Sequence, residues 1–471
     1  MFDLIVHFIT TFAIGFYLIT VLQWYNYKIS RIIFHFHKIR WHIFYFIIPI
    51  ITYIFAYKFF WIYLFFGYLP ALLIWFRRIK KPLNTTKRVR RFFLILGFIE
   101  TFNLVFMNKI HYNPGIALLV VIILALIVSE IVENILFAKY KSMAKRKLKN
   151  INPKIITITA SYGKTSIKNF VYELLKDKFK TYKTPRSVNT LKGIVLDINT
   201  ALPSDTQIYV TEAGAREKGD IKEIVQFLEN EYSILGKIGP QHIEYFKTLD
   251  NIKQTKLEIF ASPKLTKGFS YELPYNEKVE VIKDKISNIK ATLNGTEWDL
   301  EINGEKYHFI TKILGGFNAI NISLAIYQVL EFIKDIEYIK QKVLNLPFIP
   351  HRLQKIEVGG KIIIDDSFNG NIEGMLESFE LVKQYPGRKV IVTPGLVEAN
   401  DEMNKKIAKK IDEVFDLAII TGKINKNVLY NNILNTDKVY LADKSKLEKI
   451  LADLTKAGDL IIFSNDAPEY L

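Results

Sequence analysis

The first 140 residues contain apolar runs longer than a water-soluble core usually holds, and this limits the possible folds more than any other feature. Runs near 4–23, 41–57, 59–76, 92–107 and 116–138 approach or reach the ~17–25 residues with which a helix crosses a bilayer. A backbone in lipid has no water to bond, so such runs must be helical. Their connections differ in charge. Tyr25 to Arg40 carries Lys28, Arg31, Lys38 and Arg40, the stretch RRIKKPLNTTKRVRR (77–91) holds eight Lys and Arg, and Lys139 to Lys149 holds six. The connections around Lys58 and at 108–115 hold one each. With basic loops on the cytoplasmic side, the pattern predicts five spans in an inner membrane, an N-terminus outside and a tight hairpin at Lys58. Everything after residue 139 is then cytoplasmic. The first run lacks a basic leader and a small-residue cleavage site, so it reads as an anchor and not a signal peptide. Glu130 and Glu133, three apart on one helical face, read as interfacial or packing residues.

The chain of 471 residues carries a net charge of +17, which invites a nucleic-acid reading until it is divided. Residues 1–150 hold 20 Lys and Arg against 4 Asp and Glu, and the rest holds 44 against 43. The basic surplus belongs to the apolar part and reads as membrane topology, so no nucleic-acid partner is expected. With no cysteine, disulfides and thiolate chemistry are excluded, and any metal must take oxygen or imidazole ligands.

After Ile151 the pattern becomes short β-branched strands alternating with amphipathic helices. KIITITA (154–160), QIYVTEAG (207–214) and YSILGKIG (232–239) read as strands; 165–179 and 220–231 read as helices. Such alternation predicts a doubly wound, mostly parallel sheet. Residues 262–310 read as a β-rich excursion. A break at LNLPFIPHR (344–352) is followed by KIIIDDS, RKVIVTPG, LAIITG, KVYLA and DLIIFSN, which predict a second, smaller α/β domain. The expected fold class is therefore an α-helical transmembrane region (1–140) followed by α/β domains at 151–345 and 350–471.

The first strand runs into ASYGKTS and a helix, the setting in which a Gly-Lys-Thr turn binds phosphate. Backbone amides and the helix N-terminus can wrap the oxygens, Lys164 supplies a charge, and Thr165 or Ser166 a hydroxyl for Mg²⁺. Glu212 ends the next strand, and His242 and Glu244 follow another. A carboxylate and an imidazole beside a phosphate loop suit a metal shell.

In order, ASYGKTS, TEAGAREKGDI, IGPQHIEYF, KLEIF, GGFNAINISLAI, HRLQ and IIDDSFNGN resemble the Mur ligase family over about 151–471. TEAGAREKGDI and DDSFNGN are most similar to the branch that adds D-alanyl-D-alanine. The resemblance implies a P-loop ATPase central domain, a Rossmann-like C-terminal domain, the cofactors ATP and Mg²⁺, and amide-bond formation in peptidoglycan precursor synthesis. The implied partners are D-alanyl-D-alanine, a UDP-linked or lipid-linked muropeptide, inner-membrane lipid and other cell-wall enzymes.

By the same resemblance, Ala160, Ser161, Tyr162, Gly163, Lys164, Thr165 and Ser166 form the phosphate loop. Thr165, Glu212, His242 and Lys256 attend the metals; Lys164, His242 and Lys256 carry catalysis, with Lys256 carbamylated in relatives. Asn318 and Asn321 match the adenine side, Arg352 the phosphates, Asp366 the ribose with Asn369 nearby, and Asn189 and Thr190 the substrate. Asp365, adjacent to Asp366, alternates to the opposite face. The sequence departs from the family at Ala160, where Gly is usual and where Ala restricts positive φ, and at Phe317, where His is common. It also departs in its tail, and in having apolar runs where a UDP-sugar domain would stand. The same chemistry on a lipid-linked or other polymer acceptor, and a non-catalytic membrane scaffold with a ligase fold, stay open.

Overall fold

A computed structural model describes residues 2–25, 27, 39–79, 82–109 (backbone only for 107–109), 113–240, 246–368, 371–397 and 400–465. These divide into two units, Met1–Tyr140 and Lys141–Leu471.

In the first unit all five apolar runs are helical. Among the described residues three helices are long and apolar enough to cross a membrane, Phe2–Trp24, Phe60–Arg78 and Pro114–Ile151. The segment Ile39–Phe55 is a shorter apolar helix. Helix Lys87–Lys109 covers the fourth apolar run; it opens on Lys87, Arg88, Arg90 and Arg91 and carries Glu100 halfway along. Glu130 and Glu133 pair with Arg88 at 2.7 Å and Arg91 at 2.6 Å, lacing two helices together. An unanticipated polar cluster lies deeper: buried His7 meets the Tyr53 hydroxyl at 2.7 Å, Asn103 at 3.1 Å and Glu100 at 3.5 Å.

The second unit is built on two six-stranded sheets. In the first, β1 (Lys154–Thr159), β2 (Thr181–Lys183), β3 (Ile208–Glu212), β4 (Tyr232–Leu235), β5 (Lys267–Ser270) and β6 (Val279–Val281) run parallel in the order β2-β3-β1-β4-β5-β6. Alternating helices cross between parallel strands, and the fully buried strands are apolar on both faces. Ile156 and Ile158 of β1 pack with Ile167, Phe170, Val171 and Leu174 of helix Lys164–Leu175, each fully buried aliphatic contributing about 1.5–3 kcal/mol. Helix Gly316–Val329 shares this core. So does an antiparallel sheet of β7 (Ile286–Thr292), β8 (Gly295–Ile302) and β9 (Glu305–Thr311), through the stacked rings of Trp298 and Phe309. This sheet is the β-rich excursion expected near 262–310.

In the other sheet, β10 (Gln354–Val358), β11 (Lys361–Asp366), β12 (Lys389–Thr393), β13 (Leu417–Thr421), β14 (Asp437–Leu441) and β15 (Leu460–Ser464) take the order β10-β11-β15-β12-β13-β14. Only β10 is antiparallel to its neighbour. One feature of the first sheet positions the site. The chain leaves β1 for β2 and β3 on one side and then crosses to β4 on the other, so the order reverses at β1. A crevice opens beyond the carboxyl ends of strands at such a point.

Candidate functional site

The loop between β1 and helix Lys164–Leu175 occupies that crevice. Gly163 has φ +82°, a left-handed turn, and a methyl there would stand 2.6 Å from Asn321 Oδ1. Glycine is therefore required twice, by conformation and by contact. Ser161 ties the loop to the segment after β4, its amide donating to the Lys237 carbonyl at 3.0 Å and its hydroxyl to the Gly239 carbonyl at 2.9 Å. The Tyr162 ring lies over Gly239. Lys164 Nζ donates to the Ala160 carbonyl at 2.6 Å and the Ser161 carbonyl at 3.0 Å. Thr165 begins the helix half-buried, and Ser166 is buried.

The expected penalty at Ala160 does not arise. Ala160 is not among the residues with positive φ, so the turn asks nothing of it that only glycine can supply. Its buried methyl has room because the neighbouring strand end carries Gly236, where a Cβ would meet it at 2.8 Å. The glycine that the loop lacks stands across the contact.

Four further basic or acidic groups converge. Glu212 ends β3, which pairs with β1 in register Ile158 to Glu212. It is fully buried; Oε1 forms an ion pair with Lys168 Nζ at 2.8 Å, and neither oxygen has a well-aligned hydrogen-bond partner among the described residues. Lys256, near the end of helix Leu249–Leu257, is 4 % exposed and lies 3.4 Å from the Thr159 hydroxyl at the end of β1. Burial, and then the charge of Lys164, hold its ammonium well below the usual lysine range. Burial also brings Lys164 down to about 8, with Glu212 drawing it up and Arg352 pressing it lower. Arg352 is lowered by burial and raised by Asp366 and Glu212. It sits between two non-glycine residues with positive φ, His351 (+63°) and Leu353 (+51°), so an uncommon backbone turn aims the guanidinium.

Other expected residues fall into distinct places. Asp366 accepts from the Leu353 amide at 3.2 Å, whereas Asp365 accepts from His351 Nδ1 at 2.7 Å and from Ser367. The Asn189 carbonyl accepts from Gly214 at 2.7 Å, and its side chain abuts that glycine, two residues after Glu212. Thr190 caps helix Leu191–Thr200, accepting from the Gly193 amide at 3.3 Å. Asn321 lies against the phosphate loop, and Asn318 donates to the Leu314 carbonyl at 2.8 Å. His242, Glu244 and Asn369 lie outside the described residues.

Lys168 escaped the sequence reading. It sits one turn beyond Lys164 within an otherwise apolar stripe of Ile167, Val171 and Leu174, and is 1 % exposed. A lysine in a core-facing position needs a buried partner, and that misplaced charge was the available signal.

Among the described residues no three His, Asp or Glu side chains form a metal cluster. That is compatible with Mg²⁺, which keeps waters and takes one or two carboxylates plus substrate phosphates. The unbonded Glu212 oxygen and the Thr165 hydroxyl fit such a shell.

A model of the Mur ligase middle domain matches residues 158–329. The UDP-N-acetylmuramoyl-tripeptide–D-alanyl-D-alanine ligase of Buchnera aphidicola subsp. Baizongia pistaciae is 28% identical over 342 residues, 65% of this chain and 73% of that protein. The Bacillus subtilis protein of the same name is 25% identical over 347 residues, 69% and 75%. Over its α/β part the chain is thus similar to Mur ligases, and residues 158–329 match their middle domain. A MurF ligase from Thermotoga maritima, solved in complex with ADP, shares the fold at a TM-score of 0.61 and 23% identity, covering 70% of this chain and 80% of that one. Among Mur ligases, the D-alanyl-D-alanine-adding enzymes thus supply both the curated and the structural likeness.

Proposed function

We propose that this chain joins D-alanyl-D-alanine to a UDP-N-acetylmuramoyl tripeptide at the expense of ATP. One observation carries the reading: Lys164, Lys256, Glu212 and Arg352 meet around the carboxyl ends of β1 and β3, close enough to perturb one another's charge. The likeness to ligases of that name supports the substrate. The acceptor's carboxylate attacks the γ-phosphate of ATP, releasing ADP and leaving an acyl phosphate. The amine of D-alanyl-D-alanine then attacks the acyl carbon, and phosphate departs with the bond electrons. Two anions must approach each other, so cations dominate the site.

In this reading the loop from Ala160 to Ser166 holds the triphosphate, with the Lys164 ammonium turning from loop carbonyls to phosphate oxygens. Mg²⁺, held by Thr165 and Glu212 with His242 as a further ligand, would neutralise developing phosphate charge. Burial beside Lys164 disfavours the ammonium of Lys256 relative to the neutral amine, the form that reacts with CO₂, and a carbamate there would supply an anion facing Lys164. Arg352 and Asp366 bring the β11 end to the nucleotide, with Asn369 following. Asn318 and Asn321 steady the loop from helix Gly316–Val329, and Asn189 and Thr190 border the acceptor. Residues 151–345 and 350–471 act as two domains that share this nucleotide. We further propose that the helices of 1–140 hold the ligase at the cytoplasmic face of an inner membrane, in contact with lipid and near other cell-wall enzymes.

Those apolar helices favour a second acceptor class, a lipid-linked muropeptide. The test is phosphate release by the full chain in detergent micelles, with ATP, Mg²⁺ and D-alanyl-D-alanine, offered either acceptor. Turnover with the UDP-linked tripeptide supports the first reading, turnover with the lipid-linked one alone supports the second, and none with either removes both.

A further inference from the structure

Lys168 carries a role that the ligase chemistry above does not use. Its ammonium has three protons to place, and three acceptors surround it: Glu212 Oε1 at 2.8 Å, the Thr184 carbonyl at 2.8 Å and the Arg186 carbonyl. Both members of the ion pair are about 1 % exposed. Unlike Lys164, which rests on loop carbonyls at the mouth of the crevice, Lys168 is 1 % exposed and its ammonium is held between two carbonyls and the Glu212 carboxylate. It is a fixed positive charge behind Glu212. The other oxygen of that carboxylate, Oε2, is buried without a donor among the described residues.

A divalent cation approaching Oε2 therefore meets a carboxylate whose charge is already half spent. Around it, the basic side chains Lys164, Lys168 and Arg352 outnumber the carboxylates Glu212 and Asp366 among the described residues. Like charges a few ångströms apart in a buried setting repel strongly. A polyphosphate reverses that balance and brings anionic oxygens of its own.

We propose that Lys168 is a positioning residue and counter-ion that holds Glu212 in place while preventing it from taking up a divalent cation alone, so that metal enters this site only together with the polyphosphate. The proposal rests on the reading of Glu212 as a metal ligand. It also ties that ligand to the turn at 184–186, which leads to Asn189 and Thr190, because one ammonium bonds both.

Mn²⁺ serves as the probe, its binding to the full chain followed by electron paramagnetic resonance with and without a non-hydrolysable ATP analogue. The wild type is expected to bind Mn²⁺ weakly alone and much more tightly with the analogue. Lys168→Gln keeps a donor for the carbonyls without the charge, and Lys168→Met keeps bulk without either. In whichever folds by circular dichroism, Mn²⁺ affinity without the analogue should rise roughly tenfold or more, while Lys168→Arg stays near wild type. Unchanged or weaker Mn²⁺ binding in a folded neutral variant overturns the proposal. So does failure of both neutral variants to fold, which would make the lysine a strut. Glu212→Gln separates the two levels. If it leaves the analogue-dependent Mn²⁺ signal intact, the metal-ligand reading itself fails; if it abolishes that signal, only Lys168 is in question.

Discussion

The two six-stranded sheets end in opposite ways. At the carboxyl end of the first, loop carbonyls of Ala160 and Ser161 are bonded by a lysine ammonium, and Glu212, Lys168 and Lys256 are buried nearby. At the corresponding end of the second, away from Asp365 and Asp366 of β11, the turn after β12 is bonded by neutral amides. Asn404 both accepts from the Leu396 amide at 2.9 Å and donates to its carbonyl at 3.0 Å; Asn425 donates to the Pro394 and Leu396 carbonyls, and Asn465 to that of Gly395. An amide that completes a turn in this way cannot leave without stranding buried partners. A lysine resting on carbonyls can transfer to a phosphate at little cost. The turn after β12 is finished by its own chain, and the turn after β1 is arranged to be finished by a ligand.

The contrast is tested most severely at Lys164. Lys164→Ala should lower phosphate release by about a hundredfold or more while leaving the melting profile nearly intact; comparable turnover would erase the distinction between the two ends. Asn404→Ala should do the reverse. Losing both bonds to Leu396 is expected to cost about 1–3 kcal/mol, seen as faster hydrogen–deuterium exchange over 394–396 and β12, with turnover of the folded fraction retained. A large catalytic loss there would show that the turn after β12 also serves the ligand. Ala160→Gly removes one buried methyl at Gly236 and should cost about 1 kcal/mol, with nucleotide affinity near wild type by calorimetry. A marked gain in affinity would mean that the alanine had strained the loop after all.

The smallest effect lies at the far end of the second sheet. Burial raises the Asp412 carboxyl, but donors at Thr436, Leu434 and Asn435 outweigh it and leave the group below the usual carboxylate range. A carboxyl lowered on folding adds stability that is present above its unfolded value, about 3.9, and is lost as pH falls through its lower folded value. Exchange protection of β14 should therefore fall below pH 4 in the wild type and change less in Asp412→Asn. Equal acid sensitivity in both would show that the carboxylate contributes nothing by its charge.

Strand–helix alternation, the Gly-Lys-Thr turn after a β-branched run, and Glu212 at a strand end were all legible as local patterns, because each depends on neighbours in the chain. The relation between Ala160 and Gly236 was not, since 75 intervening residues separate two positions that face each other in space. Nor was the pairing of Lys168 with Glu212, although a lysine between Ile167 and Val171 signalled a buried charge in need of one. In the apolar region the run lengths anticipated helices, yet only the structure showed Arg88 and Arg91 taking up Glu130 and Glu133.

By itself the amino-acid order settled the element types and the division between an apolar helical part and an α/β part, because periodicity and turn chemistry act over a few residues, and its ordered motifs carried the resemblance to Mur ligases. Tertiary structure decided which charges share a low-dielectric space, and therefore which lysines are held below their usual range and which carboxylate oxygen is left without a donor. Electrostatic interaction falls with distance in space and not with separation along the chain, so those properties came into being only when β1, β3 and the helix ends were brought together.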